Sequence, residues 1–187
     1  MASSRVNKTN LSLFKNDTYQ PGSTLKRLTW YLVNRLFLNT SILFPSVFKS
    51  WILKFFGAKI GINIVIKPKV NIKYPWFLSV GDHCWIGENV WIDNLAQVSI
   101  GSNVCISQGA MLLTGNHDYK KESFDLITGE ITLEEGVWIG AKSVVCPGVV
   151  CKSHSVLAVS SIAAKDLEAY SIYQGNPAIK VRNRIIS

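Results

Sequence analysis

The feature that most constrains this chain is a pattern that repeats at a fixed offset of 20 residues. Stretches 60–64, 80–84 and 100–104 each begin with an aliphatic residue and a glycine. A six-residue apolar period fits neither a helix nor a free strand, but it fits a chain that turns a corner every six residues. The repeat therefore predicts stacked three-sided coils around a continuous aliphatic core. The inward positions are Ile60, Ile66, Ile72, Val80, Ile86, Ile92, Ile100, Ile106 and Leu112.

Length, charge and cysteine content limit the class of protein. The 187 residues suffice for one buried core, and the net charge of +8 predicts an acidic partner such as nucleic acid, anionic lipid or a nucleotide phosphate. No apolar signal region precedes the repeat, so we expect a cytoplasmic protein without a transmembrane helix. The cysteines contain no CxxC pair, which favours buried thiols over disulfides or zinc. They are Cys84, Cys105, Cys146 and Cys151.

The chain divides into three predicted parts. Residues 1–22 are polar and are expected to form a flexible arm. Residues 23–58 are expected to form a helical cap over the first coil, with Ser23 as N-cap, although their aromatic and basic side chains also fit an interfacial membrane segment. Residues 59–187 are expected to form the solenoid and a basic C-terminal tail. The leucines at helical spacing after Ser23 are Leu25, Leu28, Leu32 and Leu36.

An insertion interrupts the solenoid at one corner. Phe77, Gln97 and His117 occupy the same position in successive coils, and a new coil follows the first two at once. After His117 the next coil begins only at Ile131, so residues 118–130 form a protruding 13-residue loop. A loop on a rigid core is a usual location for function, and His117 stands at its root.

Several motifs accompany the repeat. Besides the hexapeptides, they are Gly115–Tyr119, Gly136–Ala141, Pro147–Val149 and Gly175–Ala178. Together, over about residues 26–184, they resemble the left-handed parallel β-helix acyltransferases, and among them the colanic acid biosynthesis acetyltransferases. A repeat by itself specifies only a fold, so the other motifs carry the functional part of the likeness. The resemblance implies a homotrimer with active sites between subunits and acetyl-CoA lying along the solenoid.

The resemblance implies that His117 is a general base. A neutral hydroxyl is a poor nucleophile near pH 7, and an imidazole that takes its proton during attack contributes about 10²–10⁴-fold in rate. The alternative is a histidine that only caps a turn. By the same resemblance, Asn94 would bind the acceptor hydroxyl, and Asp93 would bind the acceptor or orient the imidazole. Asp93 is equally typical of a turn residue.

The residues expected to bind acetyl-CoA follow the loop. By resemblance, Trp138 would flank the pantetheine arm, with Gly140 and Ala141 leaving room for it; packing between subunits is the alternative for Trp138. Ser160 stands in a stretch where the family usually has glycines, which predicts a narrower channel there. Cations for the CoA phosphates, or else a solvated basic tail, would be supplied by Lys165, Lys180 and Arg182.

A metal site is not expected. His83 precedes His117 by 34 residues, which places the two on different sides of the solenoid, and His154 is again out of phase. A zinc site built on three histidines would need them to converge.

Three functions remain open from the sequence. The leading hypothesis is an acetyl-CoA-dependent O-acetyltransferase that acts on a sugar or lipid-linked glycan in extracellular polysaccharide biosynthesis. An N-acetyltransferase acting on an amino sugar or nucleotide sugar would use the same groove and base. The third is a non-catalytic scaffold in a polysaccharide assembly complex, suggested by the altered cofactor end. No nucleic acid partner is expected, whereas a peripheral contact with the inner membrane surface would suit a lipid-linked acceptor.

Overall fold

The computed structural model describes residues 8–187, so the first seven residues of the predicted arm lie outside the described residues. From residue 59 the chain winds into three parallel sheets that enclose one core, and each coil contributes one strand to each sheet. This is the solenoid of three-sided coils that the repeat predicted, and it is the left-handed parallel β-helix that the family resemblance implied.

The strands are short, as expected for a chain that turns every six residues. The first sheet contains β1 (Lys59–Ile60), β4 (Leu78–Val80), β7 (Val98–Ile100), β12 (Ile131–Leu133) and β15 (Val150–Cys151). The second contains β2 (Val65–Ile66), β5 (Trp85–Ile86), β8 (Cys105–Ile106), β13 (Trp138–Ile139), β16 (Val156–Leu157), β18 (Ser171–Gly175) and β19 (Ala178–Asn183). The third contains β3 (Asn71–Ile72), β6 (Trp91–Asp93), β9 (Met111–Leu113), β14 (Val144–Val145) and β17 (Ile162–Ala163).

The strand register confirms both the repeat and the insertion. In the first sheet Ile60 lies opposite Val80, and Val80 lies opposite Ile100, each 20 residues along the chain. Ile100 then lies opposite Leu133, a spacing of 33 residues, which accommodates the predicted 13-residue loop. The loop forms an antiparallel hairpin of β10 (Gly115–His117) and β11 (Leu126–Thr128).

The predicted inward aliphatic residues form the core. In the second sheet one side chain from each coil stacks on the next, and all are almost fully buried. Complete burial of one such side chain contributes about 1.5–3 kcal/mol, so the column stabilises the coils collectively. Its members are Ile66, Ile86, Ile106, Ile139 and Leu157.

The corners place non-glycine residues in the left-handed backbone region. Asn63, His83 and Asn103 occupy the same corner in successive coils with φ near +55° to +60°. Asparagine tolerates this conformation better than most residues, because its short polar side chain bonds locally. Ser160 adopts the same conformation, with φ of +55°, in the stretch where the resembling family usually has glycines.

The predicted helical cap is present, but its orientation differs from the sequence pattern. Helix α1 (Thr24–Val33) begins after Ser23, whose hydroxyl accepts a hydrogen bond from the Lys26 N–H. It continues into a π-helical turn over Asn34–Leu38, and α2 spans Ser46–Phe55. The predicted leucine stripe of α1 is exposed, and the residue that α1 buries most deeply is Trp30.

Backbone groups at the open end of the solenoid explain this orientation. The first coil has no preceding coil, so its outer carbonyls lack ladder partners. Trp30 Nε1 donates to the Ile72 carbonyl at 2.9 Å, and Lys49 Nζ donates to the Ile66 and Lys67 carbonyls at 3.1 and 3.0 Å. A leucine cannot supply such donors. Burial lowers the pKa of Lys49.

The segments at the two ends of the described chain also pack on the solenoid. In the arm, Asn10 N–H donates to the Glu122 carbonyl at 2.8 Å, which ties residues 8–22 to the loop. At the other end, β18 and β19 form an antiparallel hairpin, so the predicted basic tail is largely a strand. The four cysteines are free thiols. Within residues 8–187, no helix is both long and apolar enough to cross a membrane.

Replacing Gly140 tests how closely the coils stack. A Cβ added there would lie 2.7 Å from the Leu157 carbonyl oxygen and from the backbone of Ala158, so the coils would have to separate. We expect Gly140→Ala to destabilise the fold by about 3 kcal/mol, the upper end for overpacking. The thermal unfolding midpoint should fall by roughly 6–12 °C, measured by circular dichroism.

Gly148→Ala is the matched control for that variant. No atom lies within 4 Å of a Cβ added at Gly148, and only its left-handed backbone, with φ of +81°, opposes the change. The cost there should be about 1 kcal/mol. Equal midpoints for the two variants would contradict the close-stacking explanation.

Candidate active site

His117 is held at the point where the hairpin leaves the third side of its coil. Its strand, β10, follows β9 after a single residue, and His117 pairs with Leu126 across the hairpin. A side chain added at Gly115 would collide with Leu95 of the preceding coil, so glycine allows the hairpin to leave close to the core. The Asn116 side chain accepts a hydrogen bond from the His117 N–H at 2.8 Å.

A backbone carbonyl sets the tautomer of His117. The Nδ1 atom lies 2.8 Å from the carbonyl oxygen of Phe124. Because a carbonyl oxygen only accepts, Nδ1 must carry the proton, and the neutral ring then keeps its lone pair on Nε2. The imidazole is therefore arranged to accept a proton at Nε2.

Two phenylalanines enclose the imidazole. The Phe124 ring stacks on it with centroids 4.5 Å apart and planes 7° from parallel. From the arm, Phe14 approaches with its centroid at 5.9 Å and a tilted plane. The stacking and the Nδ1 bond both fix the ring plane, which restricts the direction in which Nε2 points.

Asp93 lines a groove between α1 and the first two coils. The groove has a volume of about 450 Å³. Asp93 is 7% exposed. Its Oδ1 forms an ion pair with Lys73 Nζ at 3.0 Å, but the two groups are not aligned as a hydrogen bond. The residues that surround the groove with Asp93 include Arg27, Tyr31, Asn34, Arg35, Lys73, Tyr74 and Trp91.

Three groove-lining side chains have buried polar atoms without hydrogen-bond partners within the described part of the chain. They are the donor Arg27 Nε and the acceptors Asn34 Oδ1 and Asp93 Oδ1. Buried polar groups are normally paired, and here Asp93 Oδ1 has the ion pair with Lys73, whereas Arg27 Nε and Asn34 Oδ1 have no partner among the described residues. The groove thus offers a donor and two acceptors between aromatic side chains, which suits a small polar molecule.

The structure assigns Asn94 to the fold rather than to the groove. It is completely buried, and its Oδ1 accepts from the Tyr74 N–H at 3.0 Å. Its Nδ2 donates to the carbonyls of Tyr74 and Phe77 at 2.6 and 3.1 Å. Both amide hydrogens are therefore used within the protein. The hydrogen-bond partner of His117 Nδ1 is the Phe124 carbonyl and not Asp93.

A tyrosine from the arm reaches the region between Asp93 and His117. The Tyr19 hydroxyl donates to the Leu95 carbonyl at 2.8 Å. Burial raises the pKa of Tyr19, and the nearby Tyr74 and Asp93 add to the shift, so the hydroxyl remains a donor. The arm therefore contacts both the His117 ring and the corner that follows Asp93.

The residues expected to bind CoA lie along one corner of the later coils. Trp138 points outward from β13, 47% exposed, and its Nε1 donates to Ser107 Oγ at 2.9 Å. Ala141 follows β13, and its carbonyl accepts from the Ser160 N–H of the next coil at 2.8 Å. Trp138, Ala141 and Ser160 thus lie on adjacent coils. Gly140 belongs to the same corner, but the backbone of the next coil occupies the space beside it.

The predicted phosphate-binding cations are not equivalent. Lys180 Nζ pairs with Glu168 Oε2 at 2.8 Å, and hydrogen bonding to Lys180 lowers the pKa of Glu168. Arg182 is exposed on β19, and Lys165 is exposed after β17. Arg182 and Lys165 are therefore the better candidates for an external phosphate, because Lys180 already has an acidic partner.

Some site residues were not found from the sequence. Phe14, Tyr19 and Phe124 lie outside the repeat, and no spacing rule relates them to His117. Arg27 lines the groove, a position that no pattern in the sequence indicated. Within residues 8–187, no group of three or more His, Cys, Asp or Glu side chains has the arrangement of a metal site.

Comparisons with known proteins show what this chain is similar to. No model of a protein family matches it. It is 35% identical over 170 residues to the "Putative colanic acid biosynthesis acetyltransferase WcaF" of Escherichia coli K12, covering 89% of this chain and 92% of the relative. It is 29% identical over 134 residues to the galactoside O-acetyltransferase of the same organism, covering 70% and 66% of the two chains.

Solved structures show the same fold. A hexapeptide-repeat acetyltransferase from Vibrio cholerae, solved with acetyl coenzyme A, superimposes with a TM-score of 0.79. The two are 23% identical, over 89% of this chain and 93% of the other. The similarity to WcaF extends over nearly the whole of both chains and confirms that the protein is an acyltransferase. The chain belongs to the family of hexapeptide-repeat acetyltransferases that includes WcaF.

Proposed function

We propose that this protein transfers the acetyl group of acetyl-CoA to a sugar hydroxyl in extracellular polysaccharide biosynthesis, with His117 as general base. The observation that carries the proposal is the bond between His117 Nδ1 and the Phe124 carbonyl, which leaves Nε2 to accept a proton. The similarity to WcaF supports a polysaccharide pathway. The similarity to a galactoside O-acetyltransferase supports a hydroxyl over an amine as acceptor. The reaction is placed in the cytoplasm, where acetyl-CoA is made.

The proposed reaction needs one residue to move a proton twice. His117 Nε2 takes the proton of the acceptor hydroxyl as its oxygen attacks the thioester carbonyl carbon. A carbon–oxygen bond forms, the carbon–sulfur bond breaks, and the CoA thiolate leaves. The Nε2 proton then passes to that sulfur, so His117 returns to its neutral form. The Phe124 carbonyl bonds Nδ1 throughout and stabilises the imidazolium formed midway.

Removing the imidazole tests this assignment. We expect His117→Ala to lower kcat/KM for acetyl transfer by at least about 10²-fold, because the proton acceptor is lost. The measurement is CoA release with a free sugar acceptor. His83→Asn is the control, since residues 63 and 103 at the same corner are already asparagine with positive φ. Turnover in His117→Ala equal to that in His83→Asn would exclude His117 as the base.

The groove beside α1 is the proposed site for the acceptor. Arg27 Nε and Asn34 Oδ1 have no hydrogen-bond partner among the described residues, and Asp93 Oδ1 has only the ion pair with Lys73; in this proposal the three side chains turn toward hydroxyl groups of a sugar. Tyr31, Tyr74 and Trp91 line it as well, and aromatic rings provide apolar surface for the carbon face of a sugar ring. In this proposal Asp93 binds the acceptor, while Asn94 only supports the loop around residues 74–77.

Asp93 is the residue that tests the acceptor site. We expect Asp93→Asn to raise the KM for the acceptor by about tenfold, because a charged hydrogen bond is replaced by a neutral one. The KM for acetyl-CoA should stay unchanged. The amide is close in size to the carboxylate, so a thermal midpoint near that of the wild type serves as the folding check. A larger effect on acetyl-CoA than on the acceptor would remove Asp93 from the acceptor site.

The proposed path of acetyl-CoA follows the corner that carries Trp138, Ala141 and Ser160. Arg182 and Lys165 would bind its phosphates. The outward residues of the second sheet also support a homotrimer, because Val65, Trp85, Cys105 and Trp138 lie in register as a row suited to packing against another subunit. In such a trimer the active sites would lie between neighbouring subunits.

Trp138 distinguishes the cofactor path from the subunit interface. If it flanks pantetheine, Trp138→Ala should raise the KM for acetyl-CoA more than it lowers kcat, since an apolar wall binds ground and transition states alike. Asp93→Asn is the reciprocal control, because it should raise the KM for the acceptor and leave the KM for acetyl-CoA unchanged. A trimer that dissociates while acetyl-CoA binding persists would assign Trp138 to the interface. Failure of the wild type to bind acetyl-CoA in calorimetry would favour the scaffold alternative.

A further inference from the structure

The helical cap presents an apolar surface on the side away from the solenoid. Eight large apolar side chains there are between 60% and 82% exposed. They come from α1 and its π-helical turn, from the link that follows, and from α2. We call them the outer apolar face: Leu25, Leu32, Leu36, Ile42, Leu43, Val47, Trp51 and Phe55.

Capping the solenoid does not account for this face. The inward side of α1 already buries Trp30, and the inward side of α2 buries Ile52 and Leu53. Both helices are thus apolar on two sides. Soluble proteins seldom leave large apolar patches in water. The outer apolar face therefore needs a partner.

The charge around this face indicates the nature of that partner. Between Asp17 and Asp82 the chain has no acidic residue but nine basic ones. Lys49 is buried against backbone carbonyls, and Lys73 pairs with Asp93. Arg27 is half-buried. The six exposed cations are Lys26, Arg35, Lys54, Lys59, Lys67 and Lys69.

A second copy of this cap fits poorly as the partner. Two copies meeting through the same face would bring like charges together, with no carboxylate from residues 18–81 to compensate them. An anionic bilayer surface supplies both an apolar layer for Leu, Trp and Phe side chains and negative headgroups for the lysines and arginines. Even α1 together with its π-helical turn is only about 20 Å long, and α2 is about 15 Å long, so both are too short to cross a hydrocarbon core of about 30 Å.

We propose that the helical cap docks on anionic membrane surfaces, with α1 and α2 lying in the plane of the interface. The outer apolar face enters the headgroup boundary, and the six exposed cations contact the lipid phosphates. Docking of this kind does not depend on the enzymatic activity. A consequence that does rest on the proposed function is access to the groove. Tyr31 and Arg35 line it from the flank of α1 beside the outer face, so the groove would open close to the lipid surface.

Vesicle sedimentation tests the proposal without acetyl-CoA or acceptor. The probes are vesicles of phosphatidylcholine alone and of phosphatidylcholine mixed with phosphatidylglycerol. We expect the wild type to bind the anionic vesicles, to bind more weakly as salt rises, and to ignore the neutral ones. The double variant Trp51→Ser and Phe55→Ser should lose at least about tenfold in affinity, because two large apolar side chains no longer enter the interface.

A matched control uses exposed apolar residues at the other end of the chain. Ile179 and Ile185 are 66% and 92% exposed, and serines there should leave vesicle binding unchanged. The Trp51 and Phe55 variant should keep its thermal midpoint and its turnover with a free sugar. No binding of the wild type to anionic vesicles would overturn the proposal. The proposal would also be overturned if the Trp51 and Phe55 variant dissociated an oligomer but still bound vesicles. The outer apolar face would then be an interface between copies.

Discussion

The stacking of one coil on the next is the interaction on which the whole structure depends. Each coil is too short to bury its own inward side chains, so hydrogen bonds and aliphatic columns between coils supply the stability. Close stacking also explains the glycines, since the next coil fills the space beside Gly81 and Gly140. The same constraint means that the two ends of the solenoid must be covered, and that any departure from the repeat has to protrude.

The hairpin that carries His117 is such a departure, and it is attached to a rigid core. The coils on either side keep their register across the 33-residue interval, so the insertion changes nothing inside the core. At its root His117 is restrained by a carbonyl on Nδ1 and a stacked ring at 4.5 Å. A base must be held within hydrogen-bond reach of its substrate, and a hairpin attached to a rigid scaffold provides that precision without a large domain around it.

The inner and outer sides of the helical cap differ in what they contact. Its inner side supplies Trp30 and Lys49 as donors for carbonyls that no preceding coil can pair. Its outer side remains apolar, and the same helical segments carry the exposed cations Lys26, Arg35 and Lys54, which capping does not require. Between these sides, α1 lines the groove with Arg27 and Tyr31. The solenoid end, the proposed acceptor site and the proposed membrane contact therefore meet on one helix.

The sequence by itself determined the β-helix, the position of the loop, His117 at its root and the presence of two cap helices. These features follow from periodic burial, which the local spacing of Ile60, Ile66 and the later inward residues determines. Only the tertiary structure decided where individual polar side chains go. Asn94 bonds the preceding coil, Lys180 pairs with Glu168, and Phe124 orients the imidazole. Such partners come from other coils or from irregular segments, and a hydrogen bond depends on distances of a few tenths of an ångström that no repeat specifies.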